Sequence, residues 1–229
     1  LNFNIKASIT PLLLASGLVV APLRAEEQAA QGWVGTSVSQ RLDYGLEAML
    51  ETTQRFSSED RLYRRLELMP QLIWHYSPRY DFGAGYERDW IWDHHGMETE
   101  NDEGYVFASV LLALKSLKIN AQERYQFGED GREQGGTVWV NMFRQKTALE
   151  YDSAHWPLHL KPFADNEFFL DLDDGEITEN RARAGLRYPL NEHMNVELYG
   201  MRLDEWTTHE GRSLHEATPV AGLNLNLTF

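Results

Sequence analysis

Between residues 166 and 188 the chain reads NEFFLDLDDGEITENRARAGLRY, and its charges sort by parity on either side of Asp173-Asp174-Gly175. Glu167, Asp171, Glu179, Arg181, Arg183 and Arg187 hold odd places, whereas Ala182, Ala184, Leu186 and Tyr188 hold even ones. A repeat of two is the period of a β-strand, whose successive side chains leave opposite faces of the sheet. Each strand of this hairpin therefore has one ionised face and one apolar face. Hydrocarbon cannot solvate an ionised group, so the ionised face must meet water or an interior made of other charges.

The same period runs through most of the chain. Tyr44, Leu46, Ala48 and Leu50 alternate with Gly45, Glu47, Met49 and Glu51. In YRRLELMPQLIWHY, Leu66, Leu68, Leu72, Trp74 and Tyr76 share a side opposite Arg65, Glu67, Gln71 and His75. YDFGAGYERDWIW sends Tyr80, Phe82, Ala84, Tyr86, Trp90 and Trp92 one way and Asp81, Glu87 and Asp89 the other. LKINAQERYQF sets Leu117, Ile119, Ala121 and Tyr125 against Lys118, Asn120, Gln122 and Arg124. The stretch 104–115 is apolar on both sides, so alternation assigns it no facing; in 137–150, Arg144 and Lys146 are expected inside.

Short joins at 77–79, about 116, 152–155 and 190–193 alternate with longer polar joins at 57–61, 93–103, 128–135, 172–177 and 206–212. That is the habit of an up-and-down outer-membrane barrel. It predicts strands at 44–56, 62–76, 80–92, 104–115, 117–127, 136–150, 157–171, 178–189, 194–205 and 213–229. Segment 26–43 holds another alternating stretch, GWVGTSVSQRL, a candidate additional strand or a stretch that enters the barrel. The expected fold is an all-β, closed, antiparallel transmembrane barrel of ten to twelve strands. Ten preserves the even parity usual in bacterial barrels.

Lipid tails offer no hydrogen bonds, so a membrane sheet must close on itself and carry its apolar face outward. Trp74, Tyr76, Tyr80, Tyr86, Trp90, Trp92, Tyr125 and Tyr188 lie near strand ends, where aromatic girdles form at the interfaces. The last strand puts Ala221, Leu223, Leu225, Leu227 and Phe229 opposite Gly222, Asn224, Asn226 and Thr228. An aromatic residue ending such a strand looks like the insertion signal of outer-membrane proteins, so Phe229 is expected to engage barrel-assembly machinery. Glu47, Glu51, Arg65, Glu67, Glu87, Arg124, Glu167, Arg181, Arg183, Arg187 and Glu197 are expected to form a charge network inside. An eight-stranded barrel is nearly filled by its own side chains, and ten strands add little room. The network is therefore expected to plug the lumen.

Residues 1–25 read as a secretory leader: Lys6, then the apolar ASITPLLLASGLVVAPL, then a tolerable cleavage site with Leu23 and Ala25. Cleavage would leave 19 basic against 35 acidic residues, a net −16, which gives no electrostatic reason to bind nucleic acid. There is no cysteine, so disulfides and thiolate metal sites are excluded. The domain plan is a leader at 1–25, an N-terminal segment at 26–43 and a barrel at 44–229.

Several motifs appear in a familiar order: Trp33, Glu51 and Arg55 in ETTQR, Gly85-Tyr86 in GAGYER, and Glu123-Arg124 in QERYQ. NEFF, then NRARAGLRY, then the terminal strand ending in Phe229 complete the series, with MFRQK standing for an arginine-rich strand. In this the chain resembles the bacterial outer-membrane family catalogued as domain of unknown function twenty-four-ninety, over most of residues 33 to 229. The resemblance implies a membrane barrel and supplies no activity, substrate or catalytic residue.

Candidates for chemistry are few. Ser153 and His155 in DSAHWPLH are the nearest to a lipid-hydrolase pair, although a turn explains Ser153 as well. Asp93, His94, His95, Glu98 and Glu100 offer zinc-type donors on a polar loop. Asp171, Asp173 and Asp174 offer calcium-type oxygens, but their glycine falls one place early and an Asp-Gly turn accounts for them. No catalytic residue, cofactor or metal is expected. The expected role is a non-enzymatic barrel in the outer membrane of a Gram-negative bacterium, structural or with minor transport, in contact with lipid and lipopolysaccharide. The alternatives are an outer-membrane lipid-modifying hydrolase and a soluble periplasmic binder of lipocalin type. The latter would carry the opposite polarity, apolar inside and polar outside.

Overall fold

A computed structural model describes residues 30–57, 64–93, 96–131, 137–152, 159–209 and 212–229. The expected leader, the pair Ser153 and His155, and the histidines His94 and His95 lie outside the described residues. Eleven strands close into one barrel. They are β1 (Gln31–Arg41), β2 (Leu46–Ser57), β3 (Arg64–Ser77), β4 (Tyr80–Asp93), β5 (Gly96–Leu114), β6 (Leu117–Gly131), β7 (Thr137–Tyr151), β8 (Lys161–Asp171), β9 (Ile177–Pro189), β10 (Met194–His209) and β11 (Arg212–Thr228). Consecutive strands pair antiparallel, and β1 closes the ring against β11 in parallel, from Gln31↔Val220 to Ser39↔Thr228. The end carrying Phe229 is called the lower end here.

The count falls within the expected ten to twelve but departs from the even choice. The additional strand is β1, drawn from the segment that parity left aside. An odd number of alternating strands makes the first and last run the same way, so the seam has to be parallel. Closure matters more than parity, because an unclosed edge would leave a row of backbone donors and acceptors without partners. The seam is fastened further by Ser37 Oγ donating to Asn226 Oδ1 at 2.7 Å.

The joins also differ from expectation. The polar stretches 93–103 and 206–212 are mostly strand: β4 and β5 pair up to Asp93↔Gly96, and β10 and β11 up to His209↔Arg212. A transmembrane strand needs only about 9–11 residues, and β5 has 19. Beyond an apolar band both faces can be polar, so alternation fades and such a strand reads as a loop.

Across the wall the polarity is inside out. Val34, Leu72, Val106, Leu198 and Leu223 are exposed on the outer surface. Trp74, Tyr76 and Phe82 cluster toward the lower end, with Trp74 and Tyr76 ring centroids 5.3 Å apart. Inside lie buried charges together with two apolar clusters, one of Trp33, Phe163, Tyr199, Met201, Leu203 and Val220, the other of Ile73, Tyr105 and Phe107. The ambiguous β5 is settled by its neighbour. Gly83 and Gly85 of β4 face Phe107 and Tyr105, and any Cβ there would collide with those rings. The GAG of β4 thus makes room for two aromatic rings, which fixes the odd residues of β5 inward.

Candidate functional site

Every residue expected in the lumenal network sits on the inner face, and most are tied to an opposite charge. Glu67 accepts from Arg55 and lies 3.1 Å from Arg65 Nε, while Arg65 also bonds Asp89. Arg183 Nη2 is 2.7 Å from Asp165, and Arg187 Nη2 is 2.6 Å from Glu197. Arg187 reaches Glu150 of β7 as well, past the intervening β8. Glu47 meets His75 Nε2 at 3.2 Å, and His75 Nδ1 lies 2.8 Å from Asp81. The ring is thus held between two carboxylates at the lower end.

The central tie is Arg144. Its Nε and Nη2 donate to Glu167 at 3.1 and 3.0 Å, and its Nη1 to Gln126 at 2.9 Å and Glu87 at 3.3 Å. Arg144 stands on β7 and Glu87 on β4, so this strut crosses the lumen instead of following the wall. Hydrogen bonds between ionised partners are roughly twice as strong as neutral ones. Glu167 and Arg181 are direct cross-strand neighbours, yet Glu167 bonds Arg144 whereas Arg181 bonds Glu179.

Ring faces form a second set of partners. Arg55 sits 3.9 Å over Trp33, Arg144 4.2 Å over Phe169, Arg124 4.1 Å over Tyr105 and Arg183 4.9 Å over Tyr199. A desolvated guanidinium over a ring gains about 2 kcal/mol. Sequence reasoning missed these rings, although PFADNEFFL places Phe163, Asp165, Glu167 and Phe169 on one parity. It also left Arg55, Asp89, Gln126, Glu150 and Asp165 out of the proposed network.

Filling is uneven. Among the described residues, cavities of ≈ 410 and ≈ 390 Å³ share Gln122, Lys146, Asp165, Arg183 and Arg187 in their walls. Glu51, Arg124 and Lys146 line the larger one.

Oxygens of Glu67, Glu87 and Asp89 come within 4.8 Å of one another, all buried. Arg55, Arg65 and Arg144 already occupy the positions from which a metal would balance them. The Asp171 carboxylate accepts from the backbone of Asp173 at 2.8 Å and Asp174 at 3.3 Å. With Gly175 at φ +72° this is a self-contained turn, not a calcium loop. Glu100, from the zinc-type loop, bonds Arg88 at 2.6 Å. Phe229 ends the chain at the lower rim, where its amide donates to Ser39 O at 2.9 Å and its ring stacks on His193 at 6.2 Å.

No curated protein sequence matches the chain. Among solved structures it is similar to the NanC porin in a rhombohedral crystal form, with TM-score 0.51 and 14% identity over 83% of this chain and 95% of that one. At that identity the likeness concerns the fold, a porin-like barrel. A family match covers residues 30–213, from β1 into the start of β11. The chain belongs to the family described as Protein of unknown function (DUF2490).

Proposed function

We propose that this protein is a non-enzymatic outer-membrane barrel whose lumen is braced by ion pairs, serving envelope structure with little solute passage. The observation that carries this reading is the Arg144 strut, which joins β7 to Glu87 across the lumen inside a wall with an apolar outer surface. Buried charge pairs are costly to dehydrate, and a porin needs an open aqueous route. One such link through the lumen, with ion pairs lining the wall around it, fits a brace. The lower end is then periplasmic, and the exposed aliphatic belt contacts outer-membrane lipid and lipopolysaccharide. The strand ending in Phe229 is the contact for the assembly machinery. The porin likeness favours a membrane barrel and leaves minor transport as the secondary duty.

Conductance across planar lipid bilayers tests the brace. The reconstituted protein is expected to give no large, steady channel. Stable open-porin currents would overturn the reading.

A further inference from the structure

Around the larger cavity most charges are spoken for. Arg144, Arg181, Arg183 and Arg187 each bond a carboxylate, and Glu67, Asp165, Glu167 and Glu197 are the acids that accept from arginines. Arg124 is different. It is buried, at 8% exposure, directly opposite Arg144 across the β6–β7 ladder. Like charges in that position repel. Its Nε and Nη1 have no hydrogen-bond partner among the described residues, and Glu87 stands 3.8 Å from Nη1. A buried guanidinium left in this state is expensive. Lys146 lines both cavities and makes no ion pair within 4.0 Å among the described residues; Gln122 lies beside it across the ladder. Against these two cations the same wall offers one uncommitted carboxylate, Glu51.

We propose that this cavity binds one small monoanion, a carboxylate or a singly charged phosphate, between Arg124 and Lys146. Lys146 without an ion pair, and Arg124 sharing a Glu87 that Arg144 holds more closely, against the one further carboxylate of Glu51, leave charge for a single negative ligand. The ≈ 410 Å³ of space lies toward the lower end of the ~300–1,000 Å³ usual for small-molecule sites. Arg124 supplies a guanidinium charge in the cavity wall, already oriented on the Tyr105 ring. Lys146 supplies an ammonium from the neighbouring strand, opposite Gln122 on the ladder. Glu51 works against the ligand and sets its affinity. The inference rests on the braced-lumen reading, since a wide aqueous pore would screen these charges.

Calorimetric titration of the full barrel in zwitterionic detergent tests it, with acetate and inorganic phosphate as separate probes, at low chloride and at a pH where phosphate carries one charge. Saturable binding of at least one is expected, and the tighter probe identifies the ligand class. Arg124→Gln and Lys146→Gln should each weaken it about tenfold or more, whereas Glu51→Gln should tighten it. Heat-modifiable migration checks folding; Lys146→Gln, on a half-buried side chain without an ion pair, keeps the test valid should Arg124→Gln misfold. No saturable binding, binding indifferent to both cations, or no gain in Glu51→Gln would overturn the site. A non-conducting barrel that binds neither probe refutes this site alone, whereas open-pore currents refute the brace.

Discussion

Arg124 and Arg144 are neighbours on β6 and β7, both buried and both stacked on an aromatic ring. Arg144 holds two carboxylates and an amide, whereas Arg124 lines a cavity with its Nε and Nη1 unbonded and Glu87 3.8 Å away. The difference separates a filled part of the lumen, at β4 and β5, from the larger cavity lined by β1 to β3 and β6 to β11. Burial alone does not make a charge structural. What counts is whether its partner comes from the chain.

The largest expected effect follows from removing the committed cation. Arg144→Met leaves Glu167 buried without its hydrogen-bonded partner and should cost about 3–5 kcal/mol, read as a lower urea midpoint in detergent. Arg124→Met, at the matching place, should cost clearly less, because it gives up a ring contact with Tyr105 and a 3.8 Å approach to Glu87 but no hydrogen-bonded carboxylate. Equal losses from the two would erase the contrast.

A smaller effect comes from space. Gly85→Leu would drive a side chain into the Tyr105 ring in the filled part, at about 1–3 kcal/mol. Gly32→Ala, where no atom lies within 4 Å of an added Cβ, should change little. A tolerated Gly85→Leu would mean that the rings do not fill that part.

The smallest effect is expected at Asp152, just past the lower end of β7. There Asp152 accepts from Lys161 at 2.9 Å and Lys118 at 3.3 Å. These bonds, that from Lys161 first, hold its carboxyl below the ordinary carboxylate range. A depressed carboxylate contributes above its unfolded pKa of about 3.9, and the contribution disappears as pH falls through the lower folded value. The side chain is 37% exposed, so the wild type's advantage over Asp152→Asn should stay below about 1 kcal/mol at neutral pH. Unfolding midpoints of the two should converge below about pH 4. A gap that persists in acid would assign the effect to packing.

Much of the fold was legible because a barrel wall writes its two faces as parity. NRARAGLRY shows Arg181, Arg183 and Arg187 inside without any knowledge of the neighbouring strands. Alternation is silent where both faces are apolar, as at Tyr105 to Leu114, and the spacing of Gly83 and Gly85 was the signal for ring-sized gaps. The parallel seam was not legible, because β1 and β11 meet across nearly the whole chain and no local pattern encodes that pairing. Parity places charges inside but does not match them. Thus the sequence sets Glu167 opposite Arg181, while the lumen's geometry gives Glu167 to Arg144.

Everything depends on which face of the wall meets lipid, and the chain's lack of cysteine makes that directly measurable. Single cysteines at Leu223, Asn224, Leu225, Asn226 and Leu227, labelled with a fluorophore in liposomes containing brominated lipid, report contact with acyl chains residue by residue. Strong quenching at 223, 225 and 227 with weak quenching at 224 and 226 is the predicted result. Quenching at the asparagine positions, or none at any position, would contradict it.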